Sequence, residues 1–201
     1  MEIQVKLLKK IFDKIMITFI TTAYKETIDI HLFVSSLLLQ KDNRWKCIIY
    51  CDEKNDYIEN VIKTFNSDKF TILYNETSTG FWGHYNRKKT LDLVDTEFVI
   101  QTSVQDYYLP NTVSELMKLS SNYDFISFNC LHNHFGYRVL DTKPIQNHID
   151  WGSFMVRTYI AKTVGINNPE SSVCDGLFVE ECMKFPGIRS NKVNKVLTVH
   201  N

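Results

Sequence analysis

Two aspartates and a short basic run are the residues in this chain whose types and settings most invite chemistry. Asp52 closes the apolar run WKCIIYCD (45–52), and Asp106 sits in TSVQDYYLP (102–110), directly after the strand-like EFVIQ. A carboxylate at the end of a buried strand can hold a divalent cation against phosphate oxygens. Around Asp106 there are tyrosines and a proline but no second acid, so the stretch resembles a metal-and-phosphate site with most of its carboxylates missing. Arg87, Lys88 and Lys89, together with His200, offer another way to neutralise a diphosphate, through charge-assisted hydrogen bonds and no metal. Each acid also has a structural reading: a surface turn for Asp52 and an N-cap of the following turn for Asp106.

The stretch LHNHFGYRVLDTKPIQNHIDWG (131–152) brings His132, His134 and His148 together with Asp150. An HxH pair points towards a metal, but a zinc signature would add a second close-spaced pair or cysteines, so that signal is weak. Phe135, Tyr137, Arg138, Asn147 and Trp151 suit a sugar better. An aromatic ring stacks on the apolar face of a pyranose, while amides and imidazoles bind its hydroxyls. His134, Asn147, Asp150 and Trp151 are the candidate sugar contacts. FWGHYNR (81–87) poses the same choice, with Trp82 and His84 as contacts to a sugar or a phosphate. The structural alternative for both stretches is a surface excursion packed by its own aromatics.

Such residues need elements to position them, and the chain alternates regularly. IMITFITT (15–22), WKCIIYCD (45–52), FTILYN (70–75) and EFVIQTS (97–103) are apolar runs of strand length. Between them, 27–40 has helical periodicity, NDYIENVIKTFNS reads as a helix capped by Asn55 or Asp56, and a third helix covers about 84–94. NTVSELMKL, after Pro110, is helix-like as well. Strands of near-continuous apolar character separated by helices predict an α/β fold with an open, mostly parallel sheet and helices on both faces. In such sheets ligands bind outside the carboxyl ends of the strands. The residues at those ends are Thr21-Thr22-Ala23-Tyr24, Cys51-Asp52-Glu53, Asn75-Glu76-Thr77 and Ser103-Val104-Gln105-Asp106. No GxGxxG follows the first strand and no GxxxxGK[ST] occurs, so neither a dinucleotide fingerprint nor a P-loop is supported.

Composition bounds the partners. A chain of 201 residues with 44% hydrophobic content is long enough for one substantial core or two small ones and is expected to form a single domain. A formal net charge of zero gives no pull towards nucleic acid. Five cysteines without a CxxC pair, and no secretory leader, predict reduced thiols in the cytoplasm. No apolar run reaches the roughly 18 residues of a membrane span. Residues 1–15 place Leu7, Leu8, Ile11, Phe12 and Ile15 at helical spacing among Lys6, Lys9, Lys10 and Lys14. That pattern fits a peripheral membrane contact or a terminal helix packed on the domain.

Read in order, ITFITTAY, IIYCDEKND, TGFWGHYNRKKTLDLVDTEFVI and TSVQDYYLP resemble the nucleotide-binding half of GT-A glycosyltransferases of the large inverting family 2. The resemblance covers about residues 16–200. Thr22-Ala23-Tyr24-Lys25 resembles the family's Pro-Thr-Tyr-Asn-like turn, and Asp52 matches the aspartate that contacts the nucleobase. Gly80, Gly83 and Arg87 are the nearest matches to a Gly-rich segment leading into an Arg-Asn pair. IDWGSFMVRTYIAKTVGI looks like the strand and helix behind the acceptor pocket, and SSVCDGLFVEECMKF resembles the family's Glu-Asp helix start. Setting Tyr107 and Pro110 on the aromatic and proline of the Asp-x-Asp metal motif puts Ser103 and Gln105 where its two carboxylates belong. Only Asp106 is left of the motif.

The resemblance implies one GT-A domain over 16–201, with a nucleotide-binding half at about 16–110 and an acceptor-binding half at 111–201. It implies inverting transfer of a hexose from a nucleotide-diphosphate sugar, in first place a UDP-sugar, to a hydroxyl of a glycan or other acceptor. Thr22, Ala23, Tyr24, Asp52, Gly80, Trp82, His84, Arg87, Gln105 and Asp106 would contact the donor. Asp106 and His200 would hold Mn2+ or Mg2+ if a cation is used. Asp175, in VCDGLFVEE, would be the general base that takes the acceptor proton as its oxygen attacks, or else the cap of the helix GLFVEECMKF. Two other classes stay open. A nucleotidyltransferase-like enzyme would be expected to carry a Gly-rich, lysine-containing signature that TTAYKET lacks, and a decayed transferase would bind carbohydrate or nucleotide without turnover.

Overall fold

The structure, a computed structural model, describes residues 16–24 and 28–201. The amphipathic segment read at 1–15 and Lys25 lie outside the described residues. The four apolar runs of the first half are strands: β1 (Ile17–Ala23), β2 (Trp45–Cys51), β3 (Phe70–Tyr74) and β4 (Phe98–Ser103). They pair in parallel, β1 with β2 and β4, and β2 with β3, because each is followed by a crossover that returns the chain to its starting edge. The helices are α1 (Asp29–Leu38), α2 (Asp56–Phe65) and α3 (His84–Asp92). Of the two caps read for α2, Asn55 is the one used, its side chain accepting from Ile58 N at 3.1 Å. Adjacent residues of β1 point to opposite faces. Phe19 accordingly joins a cluster with Trp45, Phe98 and Tyr108, and Ile20 one with Val99, Phe154 and Phe178.

The second half adds β5 (Asp106–Tyr108), α4 (Thr112–Met117), β6 (Phe125–His132), β7 (Arg138–Leu140), β8 (Phe154–Arg157), α5 (Thr158–Val164), α6 (Cys174–Met183) and β9 (Ser190–His200). Among the described residues one nine-stranded sheet runs in the order β3-β2-β1-β4-β8-β6-β9-β5, with β7 on β6. β8 lies antiparallel to β4 and β6, β9 parallel to β6, and β5 antiparallel to β9. β8 and α5 fall on the segment read as one strand and one helix. The register of β9 against β6 shifts on either side of Asn129, an irregularity of the kind that re-aims side chains next to sites. Beyond it, His132 stands opposite His200, and His200 opposite Asp106. All five cysteines are buried and unpaired. Among the described residues no helix is long and apolar enough to cross a membrane.

Candidate active site

Two neighbouring residues of α3 reach into two corners at the carboxyl end of the sheet. Asn86 donates to Asp52 Oδ1 at 3.1 Å, and Arg87 donates through Nη1 to the carbonyl of Thr102 at the end of β4.

In the first corner Asp52 is buried and surrounded by donors. Oδ1 accepts from Thr79 N at 2.9 Å and Thr79 Oγ1 at 2.7 Å, and Oδ2 accepts from Gly80 N at 3.2 Å and from Ser78 Oγ. Burial alone would raise this carboxyl, but the bonds from Ser78, Thr79 and Gly80 outweigh it and hold it well below the usual carboxylate range. The acid read as a nucleobase contact is thus spent on folding the 78–80 loop. Ser78, Thr79 and Asn86 belong to this corner and were not singled out in the sequence, although the polar run NETSTG after a strand end was the available signal.

From Gly80 to Gly83 four successive residues have positive φ, between 51° and 73°. Glycine adopts this at no steric cost, whereas left-handed geometry costs Phe81 and Trp82 roughly 1–2 kcal/mol each. The turn is held against β1: a Cβ on Gly83 would lie 2.5 Å from Thr22 Oγ1. Ala23 is buried, and Tyr24 and Trp82 are exposed.

Trp151 and His84 differ from expectation. Trp151, read as a sugar platform, is 6% exposed and packs on Phe154 and Phe178, its Nε1 donating to His84 Nε2 at 3.4 Å. The gain from burying so large a ring, with a partner for its N–H, decides the placement. His84 in turn meets the Pro169 carbonyl through Nδ1 at 3.0 Å. Both of its ring nitrogens are filled by protein, and burial, with Arg87 beside it, takes its pKa down to about 4. Gln105 and Asn147 are exposed and join neither corner, and His134, also exposed, reaches the second only edge-on to His200, with ring centroids 6.3 Å apart.

The second corner gathers charge. Asp106, 1% exposed, accepts from Ser103 N at 2.8 Å, from Thr102 Oγ1, and from His200 Nδ1 at 2.7 Å. Thr102 itself takes a hydrogen bond from the Tyr108 hydroxyl at 2.8 Å. Asp150 Oδ2 lies 3.8 Å from His200 Nδ1. Burial, and then the charge of Asp106, raise the Asp150 carboxyl. For His200, burial works downwards, but the bond to Asp106 and the charges of Asp106 and Asp150 carry it up to about 9. Arg87 is 4% exposed, feels Asp106, Asp150 and Asp175 together, and its Nε has no acceptor among the described residues. Asp175 lies in the first turn of α6, where Oδ1 accepts from Gly176 N at 2.7 Å. The N-cap position is Val173, without a side-chain bond, so Asp175 is not the helix cap. Burial, then Asp150, push its carboxyl up to about 7.

Asp106, Asp150 and His200 each offer one ligand atom within 4.8 Å of the others. Two carboxylates and an imidazole suit Mn2+ better than Mg2+, which prefers oxygen, so the residues present fit a divalent cation, which would displace the proton that His200 holds. The set adds Asp150 to the Asp106 and His200 read from the sequence, because the 146–150 loop, bonded to α6 through Gln146 and Glu180, delivers it there. Gly152 closes the corner from behind, and a Cβ there would lie 2.4 Å from Asp106 Oδ2. Gly152→Ala should therefore cost about 1–3 kcal/mol by overpacking, read as a lower melting temperature at roughly 2–4 °C per kcal/mol for a domain of this size. An unchanged melting curve would show that Asp106 can move aside freely.

No protein-family model and no curated protein matches the chain, but solved structures match its fold. Residues 1–349 of TarS from S. aureus superpose with a TM-score of 0.78 at 16% identity, over 92% of this chain and 60% of that one. The same TarS fragment in complex with UDP-GlcNAc gives 0.74 at 16% identity, over 92% and 58%. The mannosyltransferase PcManGT from Pyrobaculum calidifontis, in complex with GDP-Man and Mn2+, gives 0.73 at 13% identity, over 93% and 57%. This chain thus spans about 60% of the length of the TarS fragment. At these identities the likeness is one of fold, and the fold is a glycosyltransferase-like α/β sheet flanked by helices.

Proposed function

We propose that this chain is a single-domain GT-A glycosyltransferase of the family 2 kind over 16–201. It would move a hexose, with inversion, from a nucleotide-diphosphate sugar to a hydroxyl of a glycan or other acceptor. The observation that carries this reading is the gathering of Asp106, Asp150 and His200, each with a ligand atom within 4.8 Å of the others, at the carboxyl end of the sheet, a set that fits a divalent cation. A cation held there would call for an anion beside it. The UDP and UDP-GlcNAc bound by TarS, and the GDP-Man and Mn2+ bound by PcManGT, support a nucleotide diphosphate as that anion, with UDP first.

In this reading Asp52 shapes the donor wall through the 78–80 loop, with Thr22, Tyr24 and Trp82 at its rim. Arg87 donates to the diphosphate as charge develops on it. A divalent cation held by Asp106, Asp150 and His200 would neutralise the same charge. Asp175 takes the proton of the attacking hydroxyl, and a carboxyl lifted to about 7 is a stronger base than an ordinary one while still partly ionised near neutral pH. Work in the cytoplasm, with peripheral membrane contact through residues 1–15, belongs to the same proposal and rests on sequence alone.

Ligand binding to the native state raises its melting temperature by mass action, and UDP at a hundredfold its Kd should add about 2.7 kcal/mol. Asp52→Ala should remove most of that gain, because the 78–80 loop loses the acceptor that folds it. Melting curves with UDP, GDP and Mn2+ test both statements. No shift with any nucleotide would sink the donor reading, and an unchanged UDP response in Asp52→Ala would take the loop out of the site.

A further inference from the structure

At the carboxyl end of the second half of the sheet, strand register lines up four residues. Asp106 of β5 is opposite His200 of β9, His200 is opposite His132 of β6, and His132 is opposite Arg138 of β7. Directly opposed residues share a face, and the His132 and His200 rings do so with centroids 4.5 Å apart. The row begins in the acidic corner and ends on an exposed guanidinium. The Arg138 side chain has no ion-pair or hydrogen-bond partner among the described residues.

His132 carries its ring proton on Nε2. Its Nδ1 accepts from the backbone N of His134 at 3.3 Å. An amide N–H can only donate, so Nδ1 carries no proton and Nε2 does. That N–H has no acceptor among the described residues. The hairpin that sets Arg138 opposite His132 is tied down by Tyr137. Tyr137 N donates to His132 O at 3.0 Å, and Tyr137 Oη donates to Asn201 Oδ1 at 2.8 Å. Gly136 and Tyr137 both have positive φ, 64° and 56°, a conformation that a tyrosine holds only when its surroundings fix it. Phe135, exposed and edge-on to His132 with centroids 5.4 Å apart, supplies an apolar wall beside the two donors.

We infer that His132 and Arg138 form a subsite for an acidic group, phosphate or carboxylate, carried by the acceptor sugar. The word acceptor rests on the transferase reading; the anion subsite does not. The donor diphosphate is assigned to Arg87, whereas three strand spacings, about 14 Å, separate Arg138 from Asp106. A cation that far along the row serves a different anion.

Calorimetric titration of glucose 6-phosphate, glucuronate and glucose into the chain, with and without saturating UDP and Mn2+, tests this. The expected result is binding of at least one acidic sugar roughly tenfold or more tighter than glucose, undiminished by UDP. The two acidic sugars tell phosphate from carboxylate. Arg138→Ala should abolish the preference. His132→Asn, which keeps an acceptor near Nδ1 but lacks the distal N–H, should weaken it, and His132→Gln, which restores an N–H at that distance, should recover it. Equal affinity for acidic and neutral sugars, full preference in Arg138→Ala, or displacement by UDP would overturn the subsite. Rescue by Asn and not Gln would reduce His132 to a structural cap. If UDP does not bind and the acid preference still depends on Arg138, the transferase reading fails and the subsite stands.

Discussion

Asp175→Asn is expected to lower sugar transfer about 10²–10⁴-fold, the usual worth of a general base, while the chain stays folded and keeps its affinity for UDP. Asparagine retains an oxygen to accept from Gly176 N, the bond Asp175 makes now, and no N-cap is lost because the cap position is Val173. What disappears is basicity, which matters only when the hydroxyl attacks. Two pH dependences follow from a carboxyl lifted by burial and by Asp150 to about 7. Wild-type transfer should fall as pH drops below about 7, where the base is protonated. Stability runs the other way. The folded chain holds this proton more tightly than the unfolded one, so the contribution of Asp175 is fully present below its ordinary value of 3.8 and is lost as pH rises through about 7. The melting temperature of Asp175→Asn relative to wild type should therefore climb between about pH 4 and pH 8. A paired transfer assay and melting series would read both. If activity falls only with the folded fraction, Asp175 is structural.

Asp106→Ala carries the second large effect, on stability. The carboxylate is 1% exposed and answers Ser103 N, Thr102 Oγ1 and His200 Nδ1. Removing one partner of a buried ion pair typically costs about 3–5 kcal/mol. The low end is expected here, since His200, relieved of the acid that carries it up to about 9, can shed its proton. Asp106→Asn should retain more of the fold but lose the rise in melting temperature that Mn2+ gives the wild type, because one of the three ligands is gone. Calorimetry with and without Mn2+ decides it. Melting of Asp106→Ala at the wild-type temperature would show that the corner does not hold the fold together.

The parallel half of the sheet was legible because ITFITTA and WKCIIYC are apolar on both faces, the mark of a strand buried on both sides. β9 was not, since SNKVNKVLTVH is polar along much of its length and half-exposed. Missing it left the pairing of His200 with Asp106, 94 residues away, resting on the family resemblance alone, without the register that makes it. Asp52 was recognised as an acid at a strand end, but its partners lie 26–28 residues later in a loop no local pattern ties to it. Trp151 beside Asp150 reads like an exposed platform, and only packing against Phe154 and Phe178 shows it to be core. Asp150 was read as a sugar contact, and its place in the acidic corner depends on the Gln146–Glu180 bonds, again a tertiary fact.

The most direct test of the central claim is proton NMR of UDP-GlcNAc incubated with the chain and Mn2+, followed at the anomeric signal, with GDP-mannose and other nucleotide sugars run alongside. At least one donor should be consumed and its nucleoside diphosphate accumulate, the sugar should first appear with inverted anomeric configuration, and Asp175→Asn should slow this at least about a hundredfold. Consumption of no donor, or turnover by Asp175→Asn at the wild-type rate, would contradict it.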